Sequence, residues 1–128
     1  MVGKSVQKRD ITFIILLTFL TYMNVLFICN QNKNRSKTAE QLFSSHFNTK
    51  SAGLYNQKPV TKKQLLWADV VFVMEDGQRS ELAKRFPEVY MQKRILSLDI
   101  ADVYSHNDSH LTNLLHSSMK RFSSVLAL

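Results

Sequence analysis

The residues best suited to covalent chemistry lie together in one short segment. Cys29 is the only cysteine of the chain, and Arg35 follows it six positions later. A thiolate is a strong nucleophile, and a guanidinium is a planar fork of N–H donors that matches two oxygens of a phosphoryl group. The pair therefore predicts a loop in which a cysteine faces a bound phosphate group. By itself the signal is weak, because a lone cysteine is often a small buried hydrophobe.

The segments on either side of this loop predict how it is positioned. Residues 24–28 are a short run rich in β-branched and aromatic side chains, which favours a strand, and residues 37–43 have helical spacing. Between a strand and a helix, the backbone N–H groups of the loop and the helix N-terminus converge on one anion. A thiol in such surroundings ionises more readily than a free thiol. The residues expected to bind substrate are Asn30, Gln31, Asn32, Lys33, Asn34 and Ser36.

The rest of the chain alternates between strand-like and helix-like segments. Its 128 residues, 45% hydrophobic and 21% charged, have the composition of one globular domain. Further strands are predicted at 46–51, 70–74 and 94–98, and further helices at 61–67, at 78–86 and from 108 or 109 to 126. Gly53 predicts a turn with positive φ. The alternation predicts an α/β fold, a small three-layer domain with a four-stranded parallel sheet flanked by helices. Ligands bind such sheets at the carboxyl ends of the strands, where Cys29 lies.

Several segments, in the same order along the chain, resemble one known family. The matching residues are Val25 to Asn32, Arg35-Ser36, Ala39-Glu40, Ser51-Ala52-Gly53, Trp67-Ala68-Asp69, Phe72 to Glu75, Arg85-Phe86-Pro87 and Leu98-Asp99-Ile100. They resemble the low-molecular-weight protein tyrosine phosphatases, and more closely a compact bacterial branch of predicted phosphatases in that superfamily. The resemblance extends from Met23 to the C-terminus.

This resemblance implies a phosphotyrosine protein phosphatase I-like fold and a cysteine-dependent phosphomonoester hydrolase, expected to be a protein tyrosine phosphatase. Such an enzyme acts through a phosphocysteine intermediate on Cys29. The superfamily also includes arsenate reductases, but their redox relay needs additional cysteines, which this chain lacks. A non-catalytic phosphate-binding module, with or without a membrane tether, stays open as the alternative function.

Cleavage of a phosphomonoester by a thiolate also needs a proton donor for the leaving group. In the resembled family this donor is the aspartic acid of an Asp-Pro pair just before the last helix. Asp108 stands at that place, with Ser109 where proline would be expected, and it is the predicted third catalytic residue. The competing interpretation is that Asp108 only caps the helix. Asp102 and Asp99 are the reserve candidates, and Glu75 is interpreted as a favourable charge at a helix start.

Residues 1–22 lie outside the predicted catalytic domain, which covers residues 23–128. Three basic residues precede an apolar run at 11–23, whereas a bilayer-spanning helix needs about 20 apolar residues. A longer span would need residues 24–29, which are predicted to form the first strand. Three explanations stay open: a mis-assigned start, with translation beginning at Met23, a membrane anchor, or an export signal.

Charge and composition limit the partners. The net charge of +7 favours anionic ligands, and a single cysteine cannot form an internal disulfide. The histidines, His46, His106, His110 and His116, do not have the spacing of a zinc site. We therefore expect no metal, no cofactor and no nucleic-acid partner. The expected protein is a cytoplasmic monomer that acts on a phosphorylated protein or a small phosphomonoester, with membrane contact only through residues 1–22.

Overall fold

A parallel sheet organises the part of the chain that the structure describes, residues 23–123 of a computed structural model. The elements are β1 (Asn24–Cys29), α1 (Arg35–Leu42), β2 (Asn48–Gly53), α2 (Lys62–Trp67), β3 (Val70–Val73), α3 (Asp76–Arg85), α4 (Pro87–Gln92), β4 (Arg94–Ser97) and α5 (Ser109–Lys120). The strands lie in the order β2-β1-β3-β4, and every neighbouring pair is parallel. The predicted four-stranded α/β fold is confirmed.

Helices cover both faces of this sheet. Successive side chains of a strand point to opposite faces, and β1 follows this rule throughout. Val25 and Phe27 belong to a buried cluster that includes residues of α1 and α5. Leu26 and Ile28 belong to a second buried cluster, which includes residues of α2, α3 and α4. The domain therefore has three layers, and β1 is buried on both sides.

Aromatic stacking holds β1 at the centre of the domain. The ring of Phe27 stacks on Phe43, which follows α1, and on Phe72 of β3, with 5.8 Å between ring centroids in each pair. Such pairs contribute about 0.5–1.5 kcal/mol each beyond the area that they bury. Because Phe27 is fixed in this way, Cys29 at the end of β1 lies at the carboxyl edge of the sheet.

Several element boundaries differ from the sequence prediction. Helix α1 begins at Arg35, before the predicted residue 37, and α5 ends at Lys120, before the predicted residue 126. Strand β2 begins at Asn48 and not at residue 46, because a turn after α1 continues to Phe47, whose N–H donates to the carbonyl of Phe43 at 3.1 Å. Helix α3 begins at Asp76, earlier than predicted. Pro87 was expected only to end a helix, but it also begins α4, where its missing N–H leaves no hydrogen bond unmade.

Two predicted features lie outside the described residues. The leader at 1–22 is one, and the C-terminal end of the apolar stripe of the last helix, at Val125 and Leu126, is the other. Among the helices of residues 23–123, none combines the length and the apolar composition that crossing a bilayer requires.

Gly53 ends β2 at a point of close approach. A Cβ atom there would lie 2.7 Å from Oδ1 of Asn56 and 3.0 Å from the carbonyl oxygen of Asn30, with no positive φ involved. The prediction of a positive φ is therefore wrong, and the requirement for glycine is one of space. Gly77, in the first turn of α3, offers a contrast, since nothing lies within 4 Å of its Cβ position.

These two glycines give a matched pair of substitutions. Gly53→Ala is expected to lower the free energy of unfolding by about 1–3 kcal/mol, because the added methyl group overpacks the end of β2. Gly77→Ala is expected to raise it by up to about 1 kcal/mol, because alanine restricts the unfolded chain and favours the helix. Urea denaturation of both variants measures the difference, and equal effects would contradict the steric cause assigned to Gly53.

Candidate active site

The loop after β1 surrounds the sulfur of Cys29 with polar groups. Cys29 is 3% exposed. The backbone N–H of Asn32, a residue in the left-handed conformation with φ 55°, donates to Sγ at 3.2 Å. Asparagine tolerates this conformation better than most residues. Ser36 Oγ lies 2.9 Å from Sγ and donates to Oδ1 of Asn32 at 2.8 Å. The side chain of Asn32 therefore shapes the loop through Ser36.

The contacts at the sulfur suit either form of the thiol. The hydroxyl of Ser36 carries one hydrogen, which serves one acceptor at a time. With a protonated thiol, S–H donates to Ser36 Oγ, and the hydroxyl donates to Asn32. With a thiolate, the hydroxyl turns to Sγ and joins the N–H of Asn32 as a second donor. The loop can thus supply two hydrogen bonds to a negative sulfur at Cys29.

Arg35 is buried and lines the same cavity as Cys29, and its Nε lacks a hydrogen-bond partner. Its side chain is 1% exposed, Nη1 donates to Oε1 of Glu75, and the same nitrogen donates to the carbonyl of Ile100 at 2.7 Å. Oδ1 of Asp102 lies 3.5 Å from Nε, yet Nε is buried without a hydrogen-bond partner. A buried cation is tolerated when anions surround it, and an orphaned buried donor is rare. Nε is therefore a free donor for an oxygen of a ligand.

A small cavity connects these groups. It has a volume of about 90 Å³ and is lined by Cys29, Gln31, Lys33, Asn34, Arg35 and Asp102. Sulfur and guanidinium are its buried members, whereas the carboxylate of Asp102 is 55% exposed. The cavity thus joins a buried nucleophile, an orphaned donor and a carboxyl group that solvent can reach.

The predicted substrate-binding residues divide into two groups. Gln31, Lys33 and Asn34 line the cavity together with Cys29 and Arg35. The side chains of the other three residues bond within the protein, those of Asn32 and Ser36 near the sulfur. The third, Asn30, accepts a hydrogen bond from Nε2 of Gln78 at 2.9 Å, and its carbonyl accepts the N–H of Leu54 and of Tyr55.

The structure separates the three aspartates that the sequence offers as proton donors. Asp108 is the N-cap of α5, where Oδ1 accepts the N–H of His110 at 2.8 Å. Asp99 pairs with Arg121 at 3.5 Å, away from the sulfur. Asp102 is the one of the three that lines the cavity of Cys29.

Sequence reasoning missed two further residues that hold the site together. Glu75 is the N-cap of α3, as its interpretation as a charge at a helix start predicts, and its carboxylate also contacts Arg35. Gln78 is buried, and its Oε1 accepts the N–H of Met74 at 2.7 Å and of Glu75 at 3.0 Å, while its Nε2 reaches Asn30. A glutamine three residues after the N-cap occupies the capping-box position, and this signal would have pointed to Gln78.

Helix α1 also holds the loop that carries Asp102. At the start of that loop Ile100 accepts the hydrogen bond from Arg35, and at its end the N–H of Asn107 donates to Oγ1 of Thr38 at 2.9 Å. Thr38 is buried and lies three residues after Arg35, one helical turn away. Helix α1 therefore holds both ends of this loop.

The histidines are dispersed and bonded to other groups. Oγ1 of Thr38 lies 3.4 Å from Nδ1 of His106, Ser45 Oγ lies 3.0 Å from Nδ1 of His46, and the ring of His116 packs edge-on against an aromatic ring. Within residues 23–123, no group of three His, Cys, Asp or Glu side chains is arranged to hold a metal ion.

Comparison with known proteins finds solved structures that are similar to this chain. No protein-family model matches the chain, and no curated protein matches it. The tyrosine phosphatase AmsI of Erwinia amylovora superposes with a TM-score of 0.69 at 17% identity, over 84% of this chain and 95% of that one. The tyrosine phosphatase Wzb of Escherichia coli K30, in complex with phosphate, gives 0.64 at 20% identity, over 82% and 99%. The arginine phosphatase YwlE of Geobacillus stearothermophilus gives 0.58 at 19% identity, over 82% and 88%.

These likenesses extend over most of both chains. A low-molecular-weight protein tyrosine phosphatase from T. tengcongensis gives a TM-score of 0.63 at 19% identity, over 82% of this chain and 98% of that one. The chain has the fold of the low-molecular-weight protein tyrosine phosphatases, as its sequence resemblance implied.

The link between α1 and the Asp102 loop can be tested by its hydrogen bond. Thr38→Val keeps the shape but leaves the N–H of Asn107 without its acceptor, so we expect a loss of about 1–3 kcal/mol of stability. We also expect faster hydrogen exchange at Asn107. Thr38→Ser keeps the hydroxyl and should exchange nearly as slowly as the natural protein. Slow exchange at Asn107 in Thr38→Val would show that this contact does not hold the loop.

Proposed function

We propose that the chain is a cysteine-dependent phosphomonoester hydrolase, specifically a protein tyrosine phosphatase. One observation carries the proposal: the sulfur of Cys29, the orphaned Nε of Arg35 and the carboxyl group of Asp102 share one small cavity. A nucleophile, an oxyanion donor and a proton donor are the three groups that two-step cleavage of a phosphomonoester needs.

In the first step, the thiolate of Cys29 attacks the phosphorus atom. A P–S bond forms and the P–O bond to the leaving group breaks, while Nε of Arg35 and the loop N–H groups hold the phosphoryl oxygens. Protonated Asp102 gives its proton to the leaving oxygen. The products are a phosphocysteine and a phenol or alcohol, with Asp102 ionised.

In the second step, the ionised Asp102 takes a proton from the water molecule that attacks phosphorus. The P–S bond breaks, inorganic phosphate forms and the thiolate of Cys29 returns. The hydrogen bonds from Ser36 and Asn32 stabilise this sulfur as it leaves. Positioned acid–base groups contribute about 10² to 10⁴ in rate. Loss of Asp102 would therefore slow both steps without abolishing them.

The named activities of structural neighbours support this class of reaction. They are phosphatases for phosphotyrosine and phosphoarginine, and one YwlE variant carries a phosphorylated serine in its active site. We favour phosphotyrosine here because Lys33 lines the cavity. Its ammonium group disfavours a cationic guanidine leaving group and tolerates a neutral phenol.

We further propose that residues 23–128 are the catalytic unit and act as a monomer in the cytoplasm. The reducing cytoplasm keeps a lone reactive thiol in the form that attacks phosphate. In this proposal residues 1–22 add no catalytic group. Strand β1 begins at Asn24 and carries Cys29, so it is not free to complete a membrane span.

The role of Cys29 is tested with a small aryl phosphate. Cys29→Ser is expected to lower kcat by roughly 10³-fold or more, because a serine hydroxyl lacks the nucleophilicity of a thiolate. Phosphate binding, measured by calorimetry, should persist in the variant. Natural protein that binds phosphate without hydrolysing the ester would instead support a non-catalytic phosphate-binding module. Undiminished hydrolysis by Cys29→Ser would contradict the mechanism.

The proton donor is tested by comparing leaving groups. Asp102→Asn is expected to slow the first step for poor leaving groups such as phenol by about 10² to 10⁴, and to slow it much less for dinitrophenol, which needs no proton. Asp108→Asn is the matched control, because asparagine also caps helices well and should affect both substrates equally and slightly. Single-turnover kinetics gives the two rates. If Asp108→Asn, and not Asp102→Asn, slowed the first step mainly for phenol, Asp108 would be the proton donor.

A further inference from the structure

A second, larger cavity adjoins the sulfur site. It has a volume of about 560 Å³ and is lined by Gln31, Lys33, Tyr55, Asn56, Gln57 and Lys58. Two of these residues, Gln31 and Lys33, also line the cavity of Cys29. The second cavity therefore lies next to the position at which the proposed function places the phosphoryl group. Its volume is several times that of the first cavity and suits side chains that flank a phosphorylated residue.

The charged side chains that line this cavity are positive. Lys33 and Lys58 are its ionisable residues besides a tyrosine, and the remaining lining residues carry amides. Both lysines are exposed, and neither forms an ion pair within the described part of the chain. Two carboxylates of the site lie outside its lining: Asp102 lines the smaller cavity, and Glu75 shares a further cavity with Tyr55. Both form ion pairs with Arg35. Two unpaired cations therefore face the space beside the phosphoryl group.

Contacts on the far side hold the wall of the cavity in place. The N–H of Tyr55 donates to the carbonyl of Asn30 at 2.9 Å, which joins the wall to the catalytic loop. The guanidinium of Arg85 lies 5.1 Å from the centre of the Tyr55 ring and donates to Leu54 at 2.7 Å. Glu81 holds Nε of Arg85 at 2.6 Å. These contacts join the wall at Tyr55 to the loop that carries Lys33 and to α3.

We infer that this second cavity selects phosphotyrosine segments that carry acidic side chains next to the phosphorylated residue. The inference rests on the proposed function and names its substrate class. An aspartate or glutamate beside the phosphotyrosine meets Lys33 or Lys58, whereas a lysine or arginine there is repelled. Each exposed pair contributes modestly, so the preference is one of several-fold and is sensitive to salt.

The first test uses the full chain and three phosphotyrosine peptides of equal length, with glutamate, glutamine or lysine on both sides of the phosphotyrosine. We expect kcat/KM to fall in that order, with the acidic peptide about ten-fold above the basic one at low salt. In about 0.5 M NaCl the ratio should approach one, because salt screens exposed charges. An acidic-to-basic ratio near one at low salt would overturn the inference.

The second test assigns the preference to the cavity. Lys58→Gln is expected to lower the acidic-to-basic ratio about three-fold, and Lys58→Glu about ten-fold or more. Each ratio is measured within one variant, so a general loss of activity cancels. Lys84→Glu is the matched control, since Lys84 is exposed on α3 and lines neither cavity. Equal changes in the Lys58 and Lys84 variants would reduce the effect to net charge and refute the assigned site.

Binding separates failure of this inference from failure of the proposed function. Calorimetry with Cys29→Ser gives Kd for the same three peptides without turnover. An acidic preference in Kd, with no hydrolysis by the natural protein, would sustain the inference and refute the phosphatase activity. Hydrolysis at equal rates for all three peptides, with equal Kd values, would sustain the phosphatase activity and refute the inference. Absence of both binding and hydrolysis would refute both.

Discussion

The guanidinium of Arg35 is almost completely buried, and a buried positive charge is stable only where oxygen atoms surround it. Those oxygens come from distant segments: Glu75 follows β3, and Ile100 and Asp102 follow β4. Arg35 itself follows β1, so its contacts join the segments after three parallel strands: β1, β3 and β4. Removing any of these partners would leave the cation poorly compensated, so the site and the local fold depend on the same contacts.

The geometry of a parallel sheet makes this convergence feasible. Strand β1 lies between β2 and β3, so the loop after Cys29 has a neighbour on each side. On one side the carbonyl of Asn30 accepts the N–H groups that follow β2, and on the other its side chain meets Gln78 of α3. Thr38 then extends the support to the loop before α5. The loop after β1 is therefore held from several directions.

Two cavities share residues of the loop after β1. The smaller one, around Cys29, contains carboxylate and guanidinium groups and suits a phosphoryl group together with proton transfer. The larger one contains lysines and amides and suits what is attached to that group. Lys33 lines both cavities. Under the proposed function, this loop links the reaction to the choice of substrate.

The sequence by itself determined the local features of this protein. Apolar runs predicted the four strands, and helical spacing predicted the helices. The close spacing of Cys29 and Arg35 predicted their loop. These features are local, because strand, turn and helix depend on a few neighbouring residues. Tertiary structure alone decided that Asp102 lines the cavity of Cys29, since Asp99, Asp102 and Asp108 all follow β4 and differ only in how the chain turns there. It also decided the roles of Glu75 and Gln78, whose partners lie 40 and 48 residues away. Such contacts depend on which strands become neighbours, and residue spacing carries no direct record of that.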